Sequence, residues 1–307
     1  MSEHRGHVWT VTEESWAALQ GAYDLHVHVA PDIIERRIDD LDLAREFLAR
    51  GMRGFVLKSH YVPTAERAKV VSKAINGIGA YGGISLNHSI GGLNPMAIEI
   101  AGRSGCKIVW LPTVDAANET AGRLDSKIEN PPFWAKIQRE LAAIRIAPAP
   151  ISVLDESGEI SEATRTCLEL IAKYDMAVAT GHLSAKEIRK VVHVAREVKV
   201  RKVIITHAEF PSQNLSVEEQ AELAAEGAVI EHCFTTMFLG KKPWDIVIEN
   251  IRKVGFEHSV LSTDSGQKVN PPVSECFGMF AQRLLDAQFS TGEIQRMVAI
   301  NPRNLLE

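Results

Sequence analysis

From residue 22 onward the chain repeats one pattern: a short apolar run, then an amphipathic stretch, close to eight times over. Neighbouring parallel strands need a long crossover between them, and a helix is the usual one, so this alternation predicts repeated βα units around a parallel sheet. The apolar runs fall at 22–29, 54–58, 81–86, 106–111, 176–180, 202–206, 228–231 and 259–262, each short enough to be a barrel stave. Helical patterns lie between them at 39–50, 64–76, 161–173, 184–198 and 216–225, several opened by a Ser, Thr or Asp suited to capping. Ser216-Val217-Glu218-Glu219 has the spacing of a capping box. The fold class that follows is α/β, a (β/α)8 TIM barrel, and 307 residues suit one such domain over 1–307.

The period fails at 112–159, where a Pro-Pro step, Asn118, Asn130 and a turn around Asp155-Glu156-Ser157-Gly158 intervene. This stretch reads as an elaborated loop after strand four, placed over the mouth of the barrel as a lid or specificity element. A formal charge of −5 without any Lys/Arg block argues against a nucleic-acid partner. Cys106, Cys167, Cys233 and Cys276 are widely spaced and form no CxxC pair, so they read as reduced, buried thiols. No signal-peptide core and no apolar run long enough for a bilayer is present, so the expectation is a cytoplasmic protein without a membrane partner. The sequence leaves room for a homo-oligomer.

The chemistry is concentrated at the predicted strand ends. Asp24-Leu25-His26-Val27-His28 opens the series, and strand alternation sends both imidazoles to one face and Leu25 and Val27 to the other. Further runs end in Gly181-His182, Thr206-His207 and Thr263-Asp264. Of eleven histidines, seven (His26, His28, His60, His88, His182, His207 and His232) sit at or just past a predicted strand end, where barrel active sites are built. His4, His7, His193 and His258 do not. Neutral imidazoles with a carboxylate suit Zn²⁺ or Mn²⁺.

With HxH on strand one, one His on each of strands five and six, and an Asp on strand eight, the chain resembles the amidohydrolase superfamily of metal-dependent barrel hydrolases. Asn301-Pro302-Arg303-Asn304-Leu305-Leu306 is similar to a segment that often follows the last barrel helix there. The resemblance implies that His26, His28, His182, His207 and Asp264 hold one or two ions, and that Asp264 moves the proton of the attacking water. It also exposes a departure. Strand four ends in Leu111-Pro112-Thr113, without the bridging group that binuclear members carry there.

Strand two offers a substitute. Lys58 and His60 share a face of Val56-Leu57-Lys58-Ser59-His60, and a lysine in an apolar strand is costly to bury unless paired, carboxylated or bound to an anion. Lys58 is therefore a candidate bridging ligand, if carboxylated, or a cationic substrate clamp; a lysine neutralised by Asp24 or Glu231 is the structural alternative. His60, His88, His232 and Glu209 are candidate substrate contacts, and Lys58, Lys241, Lys242 and Arg123 suggest that the small-molecule substrate is anionic. The expected reaction is hydrolysis of an amide, cyclic amide, ester or lactone by a metal-activated water. The alternatives are a phosphoesterase of the polymerase-and-histidinol-phosphatase type, whose Asp-x-His signature meets Asp264-Ser265-Gly266 here, a mononuclear non-oxidative decarboxylase, and a non-catalytic metal-binding barrel.

Overall fold

A computed structural model describes residues 9–121, 133–146 and 149–307. Eight parallel strands pair in sequence order, β1 (Tyr23–Val27), β2 (Gly54–Leu57), β3 (Gly79–Ser85), β4 (Ile108–Trp110), β5 (Ala177–Ala179), β6 (Val203–Ile205), β7 (Val229–Cys233) and β8 (Ser259–Ser262). The sheet closes on itself where the amide of Asp264 donates to the carbonyl of His26 at 2.9 Å and that of His28 to the carbonyl of Ser265 at 2.8 Å. The result is the expected (β/α)8 barrel, with the end of β8 locked directly to the end of β1.

Helices cover the outside, and their starts follow local chemistry. Ser184 and Ser216 each accept a bond from the amide three residues on, while Glu187 and Glu219 reach back to the cap amide, so two otherwise unpaired donors are satisfied at each start. The helices Asp40–Ala49 and Glu162–Lys173 begin behind Asp39 and Ser161, whose side chains accept from residues 42 and 164. Their inner faces pack on the outer faces of the strands in two apolar layers.

A third cluster fills the barrel itself, with Tyr23, Leu25, Val56, Ile108, Trp110, Ile204 and Val260. Leu305 and Leu306 belong to it. Asn301 donates to the carbonyls of Phe256 and Ser259, both at 2.8 Å, which pins the C-terminal helix Asn301–Leu306 to the start of β8 and lets the two leucines seal the floor.

Leu25 corrects the strict alternation expected of β1. Its side chain packs inside the barrel, whereas Val27 faces the helices. The cause is a bulge: Asp24 pairs with Phe55 and Val27 with Leu57, so three steps along β1 span two along β2. Asp24 supports the irregularity, its Oδ1 accepting from the amides of His26 and Thr263 at 3.1 Å each. Both histidines still point inward because the extra residue lies before His26.

The stretch after β4 is more ordered than an open loop. It holds the helices Ala117–Thr120 and Phe133–Ala143, a parallel bridge between Ala116 and Ile151, and a turn at Asp155 closed by Leu154 and Ile160. Arg123, Asn130 and the Pro-Pro step lie outside the described residues. Among the described residues no helix is long and apolar enough to cross a membrane.

Candidate metal centre and active-site cavity

Three ligand-type atoms meet at the C-terminal mouth of the barrel. Asp264 Oδ1 lies 3.1 Å from His26 Nε2 and 3.2 Å from His28 Nε2. Ligands about 2.0–2.1 Å from a tetrahedral ion stand about 3.3 Å apart, so these spacings suit one shared cation. The orientation of His26 supports this. Its Nδ1 faces Glu231 Oε2 at 3.3 Å, which leaves the Nε2 lone pair opposite a carboxylate oxygen. A cation belongs beside these atoms: Lys58 Nζ stands 2.8 Å from the same His26 Nε2, and a metal ion would take that place.

The titration directions agree. Burial pushes Asp264 up, but His26 and His28 hold it well below the usual carboxylate range. Burial drives His28, His60 and His207 well below the ordinary histidine value and lowers His182. Those four are therefore neutral imidazoles, the form that binds a metal. His26 differs: burial and Lys58 push its pKa down, but Asp264 and Glu231 raise it on balance. The donor set thus fits a divalent ion of the zinc or manganese kind.

Around this triad is a cavity of about 240 Å³ lined by His28, Lys58, His60, His182, His207 and Asp264, with Phe210, Arg36 and Lys241 among the outer residues. The imidazoles adjoin one another: His28 stacks on His60 at 4.9 Å between centroids, and His182 lies 5.0 Å from His207. His207 and Asp264 both have positive φ, 28° and 49°, a backbone region that few residues other than glycine enter. Such strain at two converging side chains is characteristic of functional sites.

Lys58 is almost wholly buried, and its Nζ lies 2.8 Å from His26 Nε2. Burial lowers its pKa, opposed by Asp264 and Glu231. Of the two carboxylates in the structural alternative, Glu231 is the one whose charge acts on Lys58, whereas Asp24 turns Oδ1 to the amides of His26 and Thr263.

The proposed substrate contacts divide. His60 is in the cavity wall, its Nδ1 2.9 Å from Thr113 Oγ1. His88 is not: it lines a separate cavity of about 390 Å³ beneath the helix Phe133–Ala143, with Tyr61 and Asp115. His232 and Glu209 are also away from the mouth. Along β7, Glu231 points inward and His232 therefore outward, where its Nδ1 meets Glu209 Oε1 at 2.9 Å and Asn250 donates to the same oxygen at 3.2 Å. That buried group packs behind the barrel wall. Lys242 bonds to Asn214, whereas Lys241 sits 3.9 Å over the Phe210 ring at the cavity edge.

Two carboxylates not named as candidate ligands or substrate contacts lie against candidate ligands. Glu231 holds His26 and also accepts from the amide of His207 at 3.3 Å. Its signal was present in Val229-Ile230-Glu231, where an outward Ile230 requires an inward Glu231. Glu119, on the short helix after β4, brings Oε2 to 3.5 Å from His182 Nδ1.

Residues 21–231 match the model of a family of unknown function, DUF6282. The chain belongs to that family. No curated protein sequence matches it significantly. In fold this DUF6282 chain is similar to the probable dipeptidase PvdM from Pseudomonas aeruginosa, at 13% identity and a TM-score of 0.63 over 96% of each chain. It is similar also to dipeptidase AC, a metallo peptidase, at 15% identity and a TM-score of 0.57, covering 94% of this chain and 98% of that one. A third is a 2,6-dihydroxybenzoate decarboxylase, at 11% identity and a TM-score of 0.51, covering 94% and 99%. The DUF6282 chain thus has the barrel fold of amidohydrolase-type enzymes, as its strand-end residues implied.

Proposed function

We propose that the chain is a metal-dependent hydrolase that uses activated water to cleave the C–N bond of an amide or cyclic amide, or the ester bond of a lactone or related substrate. The observation that carries this reading is the approach of His26 Nε2 and His28 Nε2 to one oxygen of Asp264, at 3.1 and 3.2 Å, in a cavity walled by neutral imidazoles. His26, His28 and Asp264 would hold one Zn²⁺ or Mn²⁺, with His182 and His207 next to them for completing the sphere. Such an ion supplies Lewis acidity and lowers the pKa of a water it binds from about 15.7 toward 7.

The chain's own groups do the rest. Thr235 Oγ1 donates to Asp264 Oδ2 at 3.0 Å, so the carboxylate is held with one oxygen tethered and the other toward the imidazoles. Asp264 takes the proton of the attacking water and passes it to the leaving nitrogen or oxygen. Lys58 stands beside the same centre as a donor for the oxyanion that develops on the carbonyl, a role in which a buried cation acts far more strongly than in water. Closely packed Trp110 and Leu25 below the site keep bulk water from the inner face.

The test is a panel of amides, cyclic amides, lactones and phosphoesters, with a benzoate series to report decarboxylation. It is run on chelator-treated protein, zinc-restored protein and Asp264→Asn. Hydrolysis of a carboxylic amide or lactone that requires zinc and Asp264 is expected. Turnover that survives exhaustive chelation, or is confined to phosphoesters or to release of carbon dioxide, would overturn the assignment.

A further inference from the structure

Arg36 is in a part of the cavity wall that the proposed chemistry does not use. Its side chain is only 3% exposed, yet it lines the cavity together with His28 and Lys58. Nε and Nη2 donate to one oxygen of Asp32, at 2.8 and 2.6 Å. That pairing occupies the side edge of the guanidinium. Arginine carries five N–H donors in a fixed planar fork, so the end edge, formed by Nη1 and the second Nη2 proton, is left over. Nη1 makes no hydrogen bond to protein among the described residues. This edge is not sealed off: it keeps contact with the cavity that Arg36 lines, where an entering anion can reach it.

The segment that carries Arg36 is fastened to the loop that carries Asp264. The amide of Arg37 donates to the carbonyl of Gly266 at 2.8 Å, Arg37 Nε donates to the carbonyl of Asn270 at 2.7 Å, and Arg36 bridges Gln267. Arg36 and Asp264 are thereby fixed relative to each other across one cavity. The positive charge of Arg36 is felt at His28, His60 and Lys58, where it opposes protonation.

We propose that the free edge of Arg36 is the anchor for a carboxylate group of the substrate, so that the enzyme acts on small carboxylic acids carrying a second, hydrolysable carbonyl. Two parallel N–H groups match the two oxygens of a carboxylate, and a bidentate pair fixes orientation as well as binding. Asp32 already neutralises about one unit of charge, so the edge suits a monoanionic carboxylate better than a phosphate dianion. Lys241, at the outer edge over Phe210, adds positive potential at the entrance. The inference rests on reading this cavity as the reaction site, and it narrows the substrate to a chemical class.

Calorimetric titration of the metal-free full chain with succinate, and with neutral succinamide as the control, tests it. Succinate is expected to bind and succinamide not to. Arg36→Met is expected to lose at least tenfold in succinate affinity, and Arg36→Lys to recover part of it. Because removing Arg36 alone strands Asp32, the double variant Asp32→Asn/Arg36→Met, which deletes both members of the pair, guards against loss of the fold. Equal succinate affinity in the wild type and the folded double variant would overturn the proposal, as would a wild type that binds succinate and succinamide alike or neither. Zinc affinity is measured on the same samples. Failure of the wild type to bind zinc would sink the hydrolase reading and leave the Arg36 result standing by itself.

Discussion

Lys58 Nζ and Asp264 Oδ1 approach the same nitrogen, His26 Nε2, at 2.8 and 3.1 Å. An ammonium and a metal ion cannot both use that lone pair. Lys58 must therefore yield the nitrogen when an ion binds, and it becomes free to face the substrate. Lys58→Met is expected to bind zinc at least as tightly as the wild type, by competition with a chromophoric chelator, while losing roughly a hundredfold in kcat. Loss of zinc from this variant would instead make Lys58 a ligand, as a carboxylated lysine would be.

Glu231 acts through His26. Its Oε2 accepts from His26 Nδ1 and from the amide of His207, and although burial pushes its pKa up, His26 and Lys58 hold it below the ordinary glutamate value. Carboxylates that orient a metal-binding histidine typically contribute about 10- to 100-fold in metal affinity. Glu231→Gln is expected to lower zinc affinity by roughly tenfold or more with the thermal unfolding of the metal-free protein little changed. An unaltered zinc affinity would show that Glu231 serves the fold alone.

Asp24 gives the metal-free protein a pH signature. Burial raises its pKa from 3.8 to about 7, against the hydrogen bonds from Thr263 and His26 that lower it. The folded state then keeps a proton that the unfolded state releases. Its contribution is fully present below about pH 4 and is lost as the pH rises through about 7, by up to roughly 1.4 kcal/mol per pH unit. Asp24→Asn, whose amide oxygen can still accept from both backbone amides, is expected to flatten the stability curve between pH 4 and 7. Chemical denaturation in the presence of chelator measures it, and parallel curves for the two proteins would contradict the assignment.

Gly266 shows how tightly the ends of β1 and β8 are joined. Its φ is 119°, and a Cβ there would lie 1.6 Å from the carbonyl oxygen of His28. Neither strain nor clash can be relieved without moving His28. Gly266→Ala is expected to destabilise the chain by at least about 2 kcal/mol and to weaken zinc binding with it. A variant of wild-type stability and zinc affinity would contradict the close approach.

Much of this architecture was legible in the sequence because periodicity and strand-end chemistry are local. The eight apolar runs appear as strands with ends shifted by no more than two residues, and His28, Lys58, His60, His182, His207 and Asp264 line one cavity with His26 bonded at its base. What was not legible depends on contacts between distant segments. The inward turn of Leu25 needs the bulge that Asp24 and Thr263 support. Glu119 is on a helix of 4 residues, too short to show a period, and Arg36 lies in an irregular stretch, so nothing local says which way either side chain points. His88 and His232 mark the opposite error: each is at a strand end, but one belongs to the neighbouring cavity and the other faces the helices.

The most direct test of the metal centre is anomalous diffraction at the zinc edge from crystals soaked in zinc. The account predicts a single strong peak about 2.0–2.2 Å from His26 Nε2, His28 Nε2 and Asp264 Oδ1. No peak at the barrel mouth, or one bound only by surface carboxylates, would contradict it.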